Sequence, residues 1–316
     1  MTHDALVEKG DPLTLTAVIS AVREAFIDFH HGDFELPVRV SFGDGRILTM
    51  PVHHRPSGTA VVKVLRIEPD RDPAISGVIV WTAESGEAVF DAAELTAIRT
   101  GAASGVATDL LAAPDAAVMT IIGAGAQAYH QVAAVLAVRP IREVRISVRT
   151  PSRADALVAR LQETHPDVRT TVVNDLALAL RDSDILTCAT SAMTPVFDAD
   201  DLPARIHINA VGSYRLDMRE LPAEAFADAD VVIDSWDAVR EEAGDLMPAL
   251  ATGHLHEASV SELGARLYDN TGPRASRTIF KSVGLAIQDW AAASVMAGQT
   301  ATTSLEQTDD DPSFLR

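Results

Sequence analysis

Residues Ala117 to Ala128 form an apolar run that ends in a Gly-x-Gly-x-x-Ala turn, Val-Met-Thr-Ile-Ile-Gly-Ala-Gly-Ala-Gln-Ala after Ala117. Val132, Val135 and Leu136 then recur with helical spacing. A strand that turns tightly into a helix leaves the first helical N–H groups unpaired and the positive dipole end facing outward, which is an anion site. Gly123 permits the sharp turn, Gly125 keeps a side-chain carbon out of the path of a phosphate, and Ala128 lets the helix lie close to the strand. Gly123, Ala124, Gly125, Ala126 and Gln127 are therefore expected to cradle a dinucleotide pyrophosphate. The strand before the turn and the helix after it give the motif its specificity.

A chain of 316 residues suits two domains. Leu13 to Phe29 has helical spacing, and Leu36 to Arg66 alternates as strands do. Glu84-Ser85-Gly86-Glu87 reads as a turn between two further strands, and Asp91 with Glu94 reads as the capping box of a helix running to Leu111. From Ala117 to about Lys281 strand-like and helix-like segments alternate, with strands expected at 118–122, 144–148, 170–173, 184–189, 206–211 and 231–234. Alternation of that kind predicts an α/β fold, a Rossmann-type doubly wound parallel sheet. The expected division is a nucleotide-binding domain at 116–282, and an α+β domain built from residues 1–115 and 283–300. A long amphipathic helix is expected over Ser282–Met296, and a disordered tail over 301–316.

Charge narrows the partners. With 45 acidic against 26 basic residues the net charge is −19, and no Lys/Arg block stands out, so a polyanion such as nucleic acid is not an expected partner. No apolar run is long enough to span a bilayer, Met1-Thr2-His3-Asp4 lacks the basic and apolar regions of a signal peptide, and Cys188 is the single cysteine. A cytoplasmic protein without membrane contact is expected. Cys188 lies in an apolar strand-like run and reads as a buried, inert thiol. No metal site is expected.

The second strand of the nucleotide fold decides which dinucleotide is preferred. An acidic residue at its end would hold a ribose 2′-hydroxyl. Here the strand Glu143–Val148 runs into Arg149-Thr150-Pro151-Ser152-Arg153 instead. Arg149 and Arg153, with the Thr150 hydroxyl, suit a 2′-phosphate, so NADP(H) is expected ahead of NAD(H).

Four segments in order resemble the ornithine cyclodeaminase/mu-crystallin family: Leu95-Thr96-Ala97-Ile98-Arg99-Thr100-Gly101-Ala102-Ala103-Ser104, the turn at Gly123, Ile208-Asn209-Ala210-Val211-Gly212-Ser213, and Phe280-Lys281-Ser282-Val283-Gly284-Leu285-Ala286. The similarity runs from about Leu13 to Gly298. It implies a Rossmann domain joined to a substrate and dimerisation domain, with subunits paired through their sheets as a homodimer. It also implies that Arg99 holds a substrate carboxylate, and that Arg39 and Lys63 are further cations of the substrate site. Lys63 and Arg99 are the expected catalytic pair. Met50, Ser282 and Gly284 are implied on the substrate side, and Thr100, Thr190, Ser191, Val211, Gly212 and Ser213 on the cofactor side.

The residues themselves support part of this. Lys63 sits among Val61, Val62, Val64 and Leu65, and Arg99 among Ala97, Ile98, Ala102 and Ala103. Cations in such apolar surroundings need an anion, which a ligand carboxylate or an internal salt bridge can supply. One departure bears on the reaction. Cyclodeaminases of the family carry an Asp just after the Asn-Ala-Val-Gly strand end, where this chain has Ser213 and Tyr214, while Asp217 is expected to cap a helix from about Met218. The resemblance is therefore to the ketimine reductase branch, and implies NADPH-dependent reduction of a small cyclic 2-imino acid such as 1-pyrroline-2-carboxylate or 1-piperideine-2-carboxylate. Ornithine cyclodeaminase or alanine dehydrogenase activity, or cofactor binding without turnover, are the alternatives. His53 and His54, after Met50-Pro51, read either as lining of the same pocket or as ordinary loop residues, and are left out of the catalytic set.

Overall fold

The computed structural model describes residues 12–68 and 75–309, and the chain divides into two compact units, Met1–Arg99 with Ala286–Arg316, and Thr100–Leu285. Met1–Asp4 and the last seven residues of the expected tail lie outside the described residues.

The first unit contains helix α1 (Pro12–His31) and the strands β1 (Phe34–Glu35), β2 (Val40–Phe42), β3 (Ile47–His54), β4 (Thr59–Ile67), β5 (Ile75–Ala83) and β6 (Gly86–Asp91). They form an antiparallel sheet in the order β1-β3-β4-β5-β6, with β2 paired to β3. Helix α2 (Ala92–Leu111) begins in this unit, where Asp91 Oδ1 accepts the Glu94 N–H at 2.9 Å, as a capping residue should. The last helix among the described residues, α9 (Ala286–Asp309), packs on α1 and across β3, β4 and β5. Val18, Val22, Ala25 and Phe26 give α1 one buried stripe at helical period. Strand β4 shows the two-residue alternation of a half-covered sheet, with Thr59, Val61, Lys63 and Leu65 buried and Val62 and Arg66 exposed.

The second unit continues α2 and adds β7 (Val118–Ile122), α3 (Ala128–Val138), β8 (Glu143–Ser147), α4 (Asp155–Thr164), β9 (Arg169–Val172), α5 (Leu176–Leu180), β10 (Ile185–Cys188), β11 (Ile206–Ala210), β12 (Asp230–Ile233), α6 (Trp236–Glu242), α7 (Leu246–Ala251), β13 (Val260–Glu262), α8 (Leu263–Tyr268) and β14 (Arg277–Lys281). The eight strands form one parallel sheet ordered β13-β12-β14-β11-β10-β7-β8-β9. The order reverses between β7 and β10, so the crevice for a ligand opens outside the C-terminal ends of those strands. This is the expected doubly wound fold.

Several expectations are corrected. The unit boundary falls at Arg99/Thr100 rather than at 115/116. The second half of α2 joins the nucleotide-type unit because Asn209 Nδ2 donates to Thr108 Oγ1 at 2.9 Å and Thr278 Oγ1 donates to the Leu111 carbonyl. The chain-terminal helix, α9, starts at Ala286 rather than Ser282, because Asp234 Oδ2 captures the Ser282 hydroxyl and the Val283 and Gly284 N–H groups. It then continues through 301–309, part of the span expected to be disordered; no proline interrupts the sequence before Pro312. Strands β13 and β14 were not anticipated, since each is short and carries polar residues, yet β14 pairs with β11 and β12 deep in the sheet. His53 and His54 belong to β3, not to a loop. Asp217 caps no helix at Met218; its carboxylate instead chelates Arg215 through two bonds of 2.9 Å.

Candidate active site

In the nucleotide-type unit, Gly123 follows β7 with φ +109°, and a Cβ there would stand 2.5 Å from the Ala189 carbonyl oxygen. Only glycine fits that turn. Gly125 and Ala126 are exposed, a Cβ on Gly125 would meet open space, and no side chain caps the start of α3 at Gln127. Backbone donors at a helix N-terminus therefore face outward beside the switch point, and these residues fit a dinucleotide pyrophosphate. Arg149, Thr150 and Arg153 lie exposed just beyond β8, around a single 3-10 turn at Pro151–Ala154. Thr190 and Ser191 follow β10, and Val211, Gly212 and Ser213 follow β11, at the same sheet edge. Thr100 is half buried in α2.

Not all of those groups are available to a ligand in the way the sequence implied. The buried carboxylate of Glu220 accepts the Thr190 N–H (2.6 Å) and hydroxyl (2.8 Å) on Oε1, and the N–H groups of Gly212 (2.7 Å) and Ser213 (3.2 Å) on Oε2. The Ser213 hydroxyl donates to the Met218 carbonyl at 3.0 Å. Asp245 Oδ1 in turn accepts the N–H groups of Glu220 and Leu221, and its Oδ2 lies 3.1 Å from Lys281 Nζ. Lys281 Nζ also donates to the Ser213 carbonyl at 2.6 Å. Burial pushes the Glu220 carboxyl up, while the Lys281 ammonium opposes the shift. Glu220, Asp245 and Lys281 thus shape the loops after β10 and β11 from inside. The sequence reading missed them as site-forming groups. Burial likewise raises the Cys188 thiol well above its ordinary value, in keeping with an inert residue.

Ser282 and Gly284, expected on the substrate side, belong to this second unit, where Asp234 binds both, as described above. Their hydrogen bonds hold the chain between β14 and α9.

The first unit gathers the other expected substrate residues. Met50 and Lys63 are register partners across β3 and β4, and both are buried. Lys63 Nζ stands 2.7 Å from Asp289 Oδ2, and Arg99 Nε stands 3.0 Å from Asp289 Oδ1. Asp289 has no exposure, Lys63 1% and Arg99 6%. Both contacts are ion pairs at close range, so charge attraction carries them. Arg99 Nη1 also donates to Gln288 Oε1 at 2.5 Å. Burial pulls the Lys63 ammonium down to about 8; the Asp289 carboxylate opposes this, and the charges of Arg99 and Arg39 add to it. Arg39 is half buried.

The internal salt bridge open at the sequence level is therefore present, and Asp289 is its anion. Yet among the described residues one carboxylate, Asp289, faces two buried cations, Lys63 and Arg99, so positive charge is in surplus within this trio. A ligand carboxylate is the natural complement. Asp289 and Gln288 went unnoticed in the sequence, although two polar residues inside Leu285-Ala286-Ile287-Gln288-Asp289-Trp290-Ala291-Ala292 were the available signal.

A Rossmann sheet with a glycine turn at its switch point defines the class, a dinucleotide-binding fold of the NAD(P) type. The sequence model of the ornithine cyclodeaminase/mu-crystallin family matches residues 4–303, and the chain belongs to that family. A Delta(1)-pyrroline-2-carboxylate reductase of Bacillus cereus is 38% identical over 240 residues, covering 72% of this chain and 73% of the relative. The mouse ketimine reductase mu-crystallin is 32% identical over 225 residues, 70% of this chain and 68% of its own length. Among solved structures, the Thermococcus litoralis Delta(1)-pyrroline-2-carboxylate reductase in complex with NADH and L-proline superposes with a TM-score of 0.85 at 30% identity, covering 92% of this chain and 94% of that one.

Asp289→Asn removes the one anion between two buried cations, so unfolding by urea should show a loss of about 3–5 kcal/mol. A loss below about 0.5 kcal/mol would contradict the pairing described here.

Proposed function

We propose that the protein reduces a cyclic 2-imino acid, 1-pyrroline-2-carboxylate or its six-membered homologue, to L-proline or L-pipecolate with NADPH. The observation that carries this reading is the surplus of buried positive charge at Lys63, Arg99 and Asp289 in a chain that also carries the dinucleotide turn. As a member of its family with imine reductases among its relatives, the chain is an oxidoreductase acting on imines; substrate and cofactor preference are the proposal.

Arg99 and Arg39 take the substrate carboxylate, which fixes the imine carbon in place. Met50 supplies an apolar wall beside Lys63. Gly123 to Gln127 hold the pyrophosphate, and Arg149, Thr150 and Arg153 hold the 2′-phosphate. A dihydronicotinamide held there would supply the hydride for the imine carbon. The ring nitrogen ends as an amine and therefore gains a proton, and Lys63 Nζ, drawn down to about 8, carries one that is labile near neutral pH. Reduction needs no carboxylate at the position of Ser213, whose hydroxyl is already committed to Met218, whereas ammonia loss from an open-chain amino acid requires a further acid/base group there.

The unit-1 sheet points to self-association. Val62 pairs with Val80, Val64 with Val78, and Val80 with Val89, and Val62, Val78, Val80 and Val89 are exposed. A contiguous valine face on an antiparallel sheet is expected to be covered, and a second copy of the chain offers the same face. The proposed assembly is a homodimer. Among the described residues no helix is long and apolar enough to cross a membrane. Cytoplasmic residence is part of the proposal.

Loss of NADPH absorbance with 1-pyrroline-2-carboxylate, run beside NADH, tests the activity directly; no turnover with either cyclic imine overturns it. Arg149→Ala with Arg153→Ala should raise the KM for NADPH at least about tenfold and leave that for NADH nearly unchanged, whereas equal rises would remove the 2′-phosphate role. Lys63 is needed as the ammonium, which is present below its pKa and lost above it. The rate should thus stay level below and fall as pH passes about 8, and Lys63→Met should abolish that limb; a limb that survives the substitution refutes the proton role. By sedimentation equilibrium, Val62→Lys with Val80→Lys should convert a dimer to a monomer, and a monomeric parent protein would dispose of the assembly.

A further inference from the structure

We propose that Glu220, with Asp245 and Lys281 behind it, forms a buried anionic cluster that stabilises the positive charge a nicotinamide ring acquires as hydride leaves it. The inference rests on the proposed function, which supplies the cofactor and the direction of the reaction. Glu220 would act through its field, without touching the cofactor, and this role goes beyond the shape it gives the loops.

The cluster carries a net negative charge. Glu220, Asp245 and Lys281 all have no exposure. Lys281 Nζ lies 3.1 Å from Asp245 Oδ2, so one carboxylate is matched and the trio keeps one negative charge. The hydrogen bonds favour an ionised Glu220. Its Oε1 accepts the Thr190 N–H and hydroxyl, and its Oε2 accepts the N–H groups of Gly212 and Ser213. Thr190 Oγ1 meanwhile accepts the Ala192 N–H at 3.2 Å, so its own proton points to Glu220. A carboxylic proton would need an acceptor, and these four groups are donors. The field reaches the end of β10, where the Cys188 thiol is pushed up first by burial and then by Glu220 and Asp245, with Lys281 opposing.

The fold sets the cluster on the nicotinamide side. A doubly wound sheet divides its two nucleotide halves across the switch point. Arg149, Thr150 and Arg153 follow β8 and, in the proposed function, take the 2′-phosphate of the adenosine half. The nicotinamide half then falls on the other side, over the loops after β10 and β11, whose donors end on Glu220. Gly212 packs so tightly there that a Cβ on it would stand 2.2 Å from the Thr190 carbonyl oxygen and 2.4 Å from Glu220 Oε1. Gly212 is half buried, so one glycine backbone stands between that carboxylate and the exterior.

Dihydronicotinamide is neutral and nicotinamide is a cation. When C4 gives up hydride, the electron pair goes with it to the imine carbon and positive charge appears on the ring; the imine nitrogen takes a proton and ends as an amine. A fixed negative charge in a dry place lowers the energy of that developing cation, and it needs no rearrangement to do so. Loop shape alone does not call for it. Neutral acceptors can hold backbone N–H groups, whereas burying an unmatched carboxylate is costly.

Titrating the full-length protein separately with NADP⁺ and with NADPH gives a ratio of dissociation constants. A distorted loop weakens both forms alike and cancels in that ratio, whereas a lost charge does not. Glu220→Gln should weaken NADP⁺ at least about fivefold more than NADPH. Asp245→Asn neutralises the same cluster one step further from the loops; it should shift the ratio the same way, and it decides the matter should Glu220→Gln fail to fold. A ratio unchanged within about twofold, or moved toward tighter NADP⁺, overturns the proposal. If the parent protein reduces the cyclic imine, that result removes this inference alone. A parent that binds neither nicotinamide form removes the proposed function and this inference with it.

Discussion

The contact on which the first unit turns is Asp289 set between Lys63 and Arg99. Strand β4 buries a lysine on its helix-covered face, α2 buries an arginine, and α9 returns from the other end of the chain to place one carboxylate within ion-pair distance of both. Desolvating three charges costs several kcal/mol each, and mutual attraction offsets that only in part when cations outnumber anions. Such an arrangement is a poor way to gain stability. It is a good way to hold a positive potential in a dry place, where a substrate carboxylate interacts far more strongly than it would in water.

The second unit meets its requirement through backbone geometry. A parallel sheet aligns the C-terminal ends of β7, β8, β10 and β11 along one edge, so a turn, a pair of arginines and two loops come together although they are far apart in sequence. Behind that edge, Glu220 collects four donors from the loops after β10 and β11, and Asp245 with Lys281 holds Glu220's own segment. These buried groups act on loop shape, and under the proposed function the ligand-facing roles fall to the exposed donors near Gly125 and to Arg149 and Arg153.

Much of this was legible in the chain because the signals were local. The Gly-x-Gly-x-x-Ala turn lies within one strand–turn–helix, the Asp91 cap bonds three residues on, and alternating burial along β4 is a period-two pattern that single-strand reading detects. Lys63 and Arg99 stood out as cations in apolar company. Their partner did not, because Asp289 lies 190 residues after Arg99 and only tertiary folding joins them. Separations of 48 and 50 residues likewise hid Asp234's hold on Ser282 and Gly284. Strands β13 and β14 escaped because three- and five-residue strands with polar members have no periodicity of their own, and are defined by their neighbours in the sheet.

The central claim is that Lys63, Arg99 and Arg39 exist to grip a carboxylate. It is tested most directly by calorimetric binding of L-proline and of pyrrolidine, which differs from it by lacking the carboxylate, to protein saturated with NADP⁺. Charge-assisted hydrogen bonds contribute about 1.5–3 kcal/mol each, so proline should bind at least about tenfold more tightly. Equal affinity for the two amines would contradict the account.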